Sequence, residues 1–315
     1  MNTVVEVTAQ KVSWSNWAGN QRVEHASRYL PKTELELQQI VRHANANNLR
    51  IKAVGSGHSF TAIALAEEIL VDLSHYDQVV EIDKIKNTVT VQSGIQLSKL
   101  NLELHKNGLA MQNLGDISYQ TIAGAISTST HGTGLKFTGI ANQVVGMRIV
   151  LADSSAVDCS REVNAELFHC ARVGLGALGL ISTVTLQLVS AFNLSVIEEP
   201  MRVDDVLANL DRHVESNDHF EFFWVPHTGW ALTKRNNRTL DAAKPMSKFS
   251  HWYSKTLMEN YAFGAVCMLG RARPDTGHHG QEVVVAEGLA EVVVVQEGAN
   301  RLCQFGVFAS HGHGR

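Results

Sequence analysis

The sequence predicts an α+β fold with a second domain beginning at about residue 190. Three observations carry this. The candidate elements run helix, strand, loop, strand, hairpin, helix, without the regular strand–helix alternation of a doubly wound sheet. Small residues dominate the run Ala123 to Thr130, which is a poor core by itself and suits a ligand pressed against backbone or a tightly packed helix pair. Near Phe192 the texture changes: Glu198 to Pro200 reads as a boundary, and aromatic-rich segments follow.

The elements follow in order. Residues 11–30, with Trp14, Asn16, Trp17 and Gly19, read as an irregular lead-in whose tryptophans need burial. Thr33 with Glu36 three residues on has capping-box spacing, and Leu37, Ile40, Val41 and Ala44 recur on one helical face. Ile51 to Val54 and Leu70 to Leu73 read as short strands. Val79 to Ile82 and Val89 to Val91 flank a polar connection and form a hairpin. Leu97, Leu100 and Leu104 mark a second helix stopped by Gly108. Val144 to Val150 alternates, with Val145, Met147 and Ile149 on one face, and Ala165 to Ala171 is helical. The glycines at 174, 176 and 179 then break the chain. Ile181 to Val189 is a strand whose apolar face is Ser182, Val184, Leu186 and Leu188. Beyond the boundary, Met201 to Val214 reads as one helix and Phe220 to Val225 as a strand; a further strand begins at Leu232 and ends at the polar run Lys234 to Thr239.

Composition narrows the function. The 315 residues suffice for two domains, and 27 basic against 31 acidic side chains argue against a nucleic-acid partner held by bulk charge. The spacing of Cys159, Cys170, Cys267 and Cys303 suits neither a zinc site nor a disulfide framework, so a cytoplasmic, reducing location is expected. No signal peptide and no membrane-spanning stretch is read; contact with a membrane surface stays open. No metal site is expected. His278, His279, His311 and His313 lack acidic or sulfur co-ligands at useful spacing, and His58 with His131 lacks a helical i,i+4 arrangement.

Chemistry concentrates in two stretches. Val54–Gly55–Ser56–Gly57–His58–Ser59 follows a short strand, and its glycines and hydroxyls make a loop rich in backbone N–H groups able to wrap a pyrophosphate. The motif lacks the lysine of a phosphate-binding GxxxxGK[ST] loop and the third glycine of GxGxxG. The histidine is compatible with an attachment point, a general base or a surface residue. The second stretch is Asn113–Leu114–Gly115–Asp116 with Thr121 to Gly134. There Ala123, Gly124, Ser127 and Thr128 permit close approach of something flat, and His131, Gly132 and Gly134 stand in a further loop.

Taken together, in this order and at these separations, Val54–Ser59, Asn113–Asp116, Thr121–Gly134 and Gly174–Ile181 resemble the FAD-linked sugar-lactone oxidases. That family includes D-arabinono-1,4-lactone and L-gulono-1,4-lactone oxidases and alditol oxidases, within the vanillyl-alcohol oxidase and p-cresol methylhydroxylase superfamily. The resemblance covers roughly residues 14 to 273, with Glu221 to His227 like the start of the substrate domain. It implies a lead-in over 1–20 and a two-lobed FAD-binding domain over 21–190, the lobes being about 21–75 and 76–190. A partial substrate domain over 191–273 and an atypical tail over 274–315 would follow.

The resemblance further implies that Gly55 to Ser59 hold the FAD pyrophosphate and that His58 bonds covalently to the flavin 8α-methyl. Ala123 to Thr130 would lie along the isoalloxazine and ribityl chain, and His131 to Gly134 would close over it. Gly179 and Ile181 would lie near the adenine or its ribose. Hydride would pass from a lactone or polyol carbinol to the flavin, with O2 as acceptor in an oxidase. Gly115 leans toward the oxidase because a small residue there leaves O2 a path; a turn glycine with positive φ explains it equally. A dehydrogenase on the same fold and an inactive flavin-binding remnant are the rivals.

The catalytic residues remain unassigned. They are expected in the family's returning segment with a His-Trp-Gly-Lys-like motif, which the sequence does not show. The stretch after Arg273 reads as a disordered or non-native tail of the kind that a shifted reading frame or a damaged gene would produce, and weak or absent turnover is the expectation.

Overall fold

The structure is a computed structural model that describes residues 8–225 and 229–243, together with Ser247, Trp252 and Tyr261. The chain divides into two units. The first holds the described residues up to Gly132 and Thr138–Ala191; the second holds Thr133–Phe137 and the described residues from Phe192 onward.

In the first unit the order is β1 (Gln10–Ser15), β2 (Arg22–Tyr29), α1 (Glu34–Ala46), β3 (Ile51–Val54), β4 (Ile69–Asp72), β5 (Val79–Asp83), β6 (Thr88–Gln92) and α2 (Leu97–Lys106). Then come β7 (Leu109–Ala110), α3 (Ile122–Ser127), β8 (Val144–Val150), β9 (Ala156–Ser160), α4 (Ala165–Ala171), β10 (Leu180–Gln187) and β11 (Val189–Ser190). One sheet runs β1-β2-β4-β3, with β4 parallel to β2 and β3; a second, antiparallel, runs β5-β6-β10-β8-β9. This is an α+β fold.

Helix α1 packs between these sheets. The Thr33 Oγ1 accepts the Glu36 N–H at 3.2 Å, while Glu36 Oε2 accepts the N–H of Lys32 at 2.6 Å, one residue ahead of the usual capping-box partner. Its Leu37, Ile40, Val41 and Ala44 are buried against Ile69 and Val71 on one side and Val150 and Leu180 on the other. Ser182, Val184 and Leu186 on β10, and Leu188 just past its end, are buried as their alternation requires.

Residues 11–30 are not an irregular lead-in. They form the β1–β2 hairpin, whose register shifts between Val12 and Trp14. That bulge breaks the period of two, which hid the strands.

The second unit contains β12 (Asn193–Arg202), α5 (Val203–Ala208), α6 (Leu210–Glu215), β13 (His219–Val225) and β14 (Trp230–Thr239), in an antiparallel sheet of order β12-β14-β13. Three sequence readings are corrected here. Glu198–Pro200 lies inside β12, and Pro200 is tolerated because β12 is an edge strand. The helix expected over 201–214 is split at Asn209, whose φ and ψ of −117° and 17° leave the helical region. The polar run from Lys234 continues β14 because its charges meet carboxylates across the ladder: Lys234, 3% exposed, lies 3.3 Å from Glu221, and Arg235 pairs with Glu199. The core of this unit is Val206, Phe220 and Ala231, with Met201, Val203, Leu210, Val214 and Phe222 packed around it. The tail assigned to 274–315 lies outside the described residues.

Candidate functional site

The groove in the first unit begins where β3 ends. Its wall is Lys52–Ser59, with Ile63, Ala64 and Leu73; its floor is Gln120, Thr121, Ala123, Gly124, Ser127 and Thr128; Leu175, Gly176, Gly179 and Ile181 close it. Local chemistry explains the shape. Thr121 caps α3, its Oγ1 accepting the Gly124 N–H at 3.3 Å, and this turns the small-residue face of the helix to the groove. Gly55 is required by close approach, since a β-carbon there would stand 2.1 Å from Thr121 Oγ1. Gly179 takes a φ of +143°, and its β-carbon would meet the Val150 carbonyl at 2.4 Å.

The loop after β3 is braced by the hairpin. The Trp17 N–H donates to Gly57 O at 2.8 Å, Asn16 Nδ2 donates to Ser59 O at 2.9 Å, and the Trp17 indole stacks on His58 with centroids 5.6 Å apart. The backbone N–H groups of Ser56, Gly57, His58 and Ser59 find no acceptor among the described residues. Burial holds the His58 pKa below its ordinary value, so the imidazole is neutral near pH 7.

These features fit a dinucleotide. Unpaired amides in a turn suit a pyrophosphate, and a floor of Ala, Gly, Ser and Thr lets a flat ring lie against backbone. At the lining, Gln120 Oε1 is buried without a hydrogen-bond donor among the described residues, an acceptor available to a ligand N–H or O–H. Among the described residues no group of three His, Cys, Asp or Glu could hold a metal, and no helix is long and apolar enough to cross a membrane.

The groove gathers Val54, Gly55, Ser56, Gly57, His58, Ser59, Ala123, Gly124, Ser127, Thr128, Gly179 and Ile181 of the sequence-predicted site. The remaining predicted residues are not in its lining. Gly115 packs on the 130–132 loop: a β-carbon there would meet Thr130 Cγ2 at 2.9 Å and His131 O at 3.1 Å. Its φ is not positive, so close packing, not a turn, explains the glycine. Gly132 approaches the Leu114 carbonyl, 2.0 Å from where its β-carbon would lie, so Asn113, Leu114 and Gly115 form a cluster of their own with His131 and Gly132. Gly134 belongs to the second unit, beside Asp218 and Phe137, where His219 Nδ1 donates to Thr133 O at 2.9 Å.

Sequence reasoning missed Gln120, Leu175, Gly176 and the bracing roles of Asn16 and Trp17. The Gly-rich run at 174–179 offered a signal for Leu175 and Gly176; nothing local linked Trp17 to His58.

Comparisons with known proteins agree with this geometry. An FAD binding domain profile matches residues 27–160, and a D-arabinono-1,4-lactone oxidase profile matches residues 184–308, running past Arg273 where the sequence reading ended the resemblance. The chain is 36% identical over 261 residues to L-gulono-1,4-lactone dehydrogenase of Mycobacterium tuberculosis (strain CDC 1551 / Oshkosh), covering 83% of this chain and 60% of that one. It is 37% identical over 251 residues to L-gulonolactone oxidase of Scyliorhinus torazame, covering 80% and 55%. The chain thus spans little more than half the length of these relatives. Among solved structures, cholesterol oxidase from B. sterolicum superposes with a TM-score of 0.75 at 18% identity, covering 92% of this chain and 60% of that one.

Fold and profile together define an FAD-binding domain of the p-cresol methylhydroxylase type. The chain belongs to the FAD-linked sugar-lactone oxidase family.

Proposed function

We propose that the chain is the FAD-carrying part of an oxidoreductase that oxidises the C2 carbinol of an aldonolactone of the L-gulono-1,4-lactone or D-arabinono-1,4-lactone type. The observation that carries this is the groove, in which unpaired loop amides and a small-residue floor meet in one place. Ser56 to Ser59 hold the pyrophosphate by backbone N–H groups, and His58 bonds the flavin. Ala123, Gly124, Ser127 and Thr128 back the ring and ribityl chain, and Gly179 and Ile181 lie toward the adenine. When bound, FAD supplies the acceptor for the hydride that leaves the carbinol. The protein orients that acceptor.

O2 is the preferred electron acceptor in this reading, with hydrogen peroxide and an ascorbate-like lactone as products. Gly115 does not decide it, since its packing on Thr130 and His131 accounts for the glycine without an O2 path. The relatives include a protein named a dehydrogenase and one named an oxidase, which keeps a second reading alive: the same oxidation with another acceptor. A cytoplasmic protein, with peripheral membrane contact compatible, completes the reading. The test is to reconstitute the chain with FAD, add L-gulono-1,4-lactone without oxygen and follow loss of the yellow colour, then admit air and measure peroxide. Bleaching with rapid peroxide release supports the oxidase; bleaching relieved only by a dye supports the dehydrogenase. A flavin-loaded chain that no aldonolactone bleaches would overturn both and favour the inactive flavin-binding remnant.

A further inference from the structure

We propose that Trp17 is the residue that positions the His58 imidazole for bond formation to a flavin, a role that rests on the attachment reading above. Neither ring nitrogen of His58 has a hydrogen-bond partner among the described residues. A histidine that does chemistry is ordinarily oriented by a hydrogen bond to its second ring nitrogen. His219 shows that pattern, its Nδ1 donating to the Thr133 carbonyl. His58 lacks it, and what it has is an aromatic face: the indole of Trp17 at 5.6 Å between centroids and 29° between planes.

The indole is itself held. It meets the Phe60 ring edge-on at 6.2 Å and 86°. Its own backbone N–H grips Gly57 O, and Asn16 grips Ser59 O, so the chain is tied on both sides of His58. Trp14 packs against the residue before His58, its Cζ2 standing 3.1 Å from where a β-carbon on Gly57 would lie. Backbone and ring are therefore fixed by one short segment, residues 14–17, at the end of β1.

Covering one face of the imidazole also keeps it neutral. The lowering of the His58 pKa has burial as its cause, with no charged neighbour contributing. The charged side chain that lines the same groove is Lys52, whose sign also favours the neutral ring. Attachment needs that neutral form: a ring nitrogen bonds the 8α carbon, one 8α proton and one imidazole proton leave, and the two electrons released pass to dioxygen, which becomes hydrogen peroxide. A free-swinging ring would rarely present its lone pair along the required line.

The experiment follows attachment directly, without turnover. Flavin-free parent, Trp17→Phe, Trp17→Leu and His58→Ala chains are incubated with FAD in air. Samples are acid-precipitated at intervals, and flavin is measured in pellet and supernatant across pH 5 to 9. The expected result is that W17L turns yellow but retains flavin in the pellet about tenfold more slowly or worse. Its profile should also shift so that higher pH is needed, while W17F restores most of the rate. If W17L lacks parent-like circular dichroism, Trp17→Gln decides in its place. A folded non-aromatic variant that attaches flavin at the parent's rate and with the parent's profile overturns this role alone. A parent that binds flavin and releases all of it in acid overturns the attachment reading and this role with it.

Discussion

At the scale of single residues, the groove depends on a missing side chain. A β-carbon at Gly55 would sit 2.1 Å from Thr121 Oγ1, and that oxygen cannot swing away without giving up the α3 cap at Gly124. Gly55→Ala is therefore expected to lower the flavin content of the purified protein by about tenfold or more, through displacement of the loop that precedes His58. Thr121→Ala alone should cost about 1 kcal/mol of stability as a lost cap and leave flavin bound. The double variant should recover flavin that G55A loses, a coupling expected of neighbours in contact. Flavin content of the four proteins checks this, and equal loss in single and double variants would refute it. A second single-residue effect is a pH dependence. Burial lowers the His219 pKa, against the Thr133 carbonyl, which raises it; Arg238 lowers it further, and Asp218 and Glu221 oppose. The folded value thus lies below the unfolded one of about 6.5, so the unfolded chain binds the extra proton first. Stability from this group is full above that value and falls as pH drops through it toward the folded pKa. Urea midpoints measured from pH 7.5 to 5 should fall less steeply in His219→Phe than in the parent.

At the scale of elements, α1 is fixed by a polar chain as well as by its apolar stripe. Glu34 Oε2 accepts from Arg148 Nε on β8 and from Ser182 Oγ on β10, each at 2.8 Å, and Tyr76 reaches Ser182 at 2.9 Å. Ser182 is fully buried, and Glu34 is the first cause raising the Arg148 pKa. Glu34→Gln keeps the shape and loses the charge, and should cost about 1–2 kcal/mol. Asp158→Asn, on the exposed side of the same arginine, should cost under about 0.5 kcal/mol because Asp158 is 72% exposed. Urea unfolding of both variants checks the order, and equal losses would show that the buried arm is not special. The stripe of α1 was legible because Leu37, Ile40, Val41 and Ala44 repeat at helical spacing. The polar partner of its first turn was not, because Glu34, Arg148 and Ser182 are far apart in sequence. The same contrast runs through the fold. The β5–β6 hairpin and β10 announce themselves by local alternation, whereas β12 and the polar half of β14 become strands through cross-strand pairing of Glu199, Glu221, Lys234 and Arg235. In the site, glycines needing close approach or positive φ mark the loop and the 174–179 turn. Trp17 and Gln120 carry no such mark, since what they do depends on neighbours distant along the chain.

At the scale of the whole molecule, each unit has a core of its own. The first is built on three apolar clusters that include Phe168, Leu97 and Ile126, and the second on the much smaller group around Val206, Phe220 and Ala231. Every side chain lining the groove comes from the first unit, from three stretches: residues 52–73, 120–128 and 175–181. A dinucleotide bound there joins parts of the chain that close long loops, so its binding energy adds to the folding energy of that unit. At a free FAD concentration of about 100 times Kd, the gain is about 2.7 kcal/mol. Amide hydrogen exchange with and without FAD, before any covalent bond is allowed to form, reads where that gain falls. Ser56 to Ser59 should change most, because their amides lack acceptors among the described residues and acquire phosphate oxygens. Ala123 to Thr128 and Gly176 to Ile181 should slow with them, since their backbone lines the same ligand. The amides of α5 and α6, which cover the second core, should exchange at unchanged rates. Protection confined to α5, α6 and β12, with Ser56–Ser59 exchanging freely in the presence of saturating FAD, would move the cofactor out of this groove.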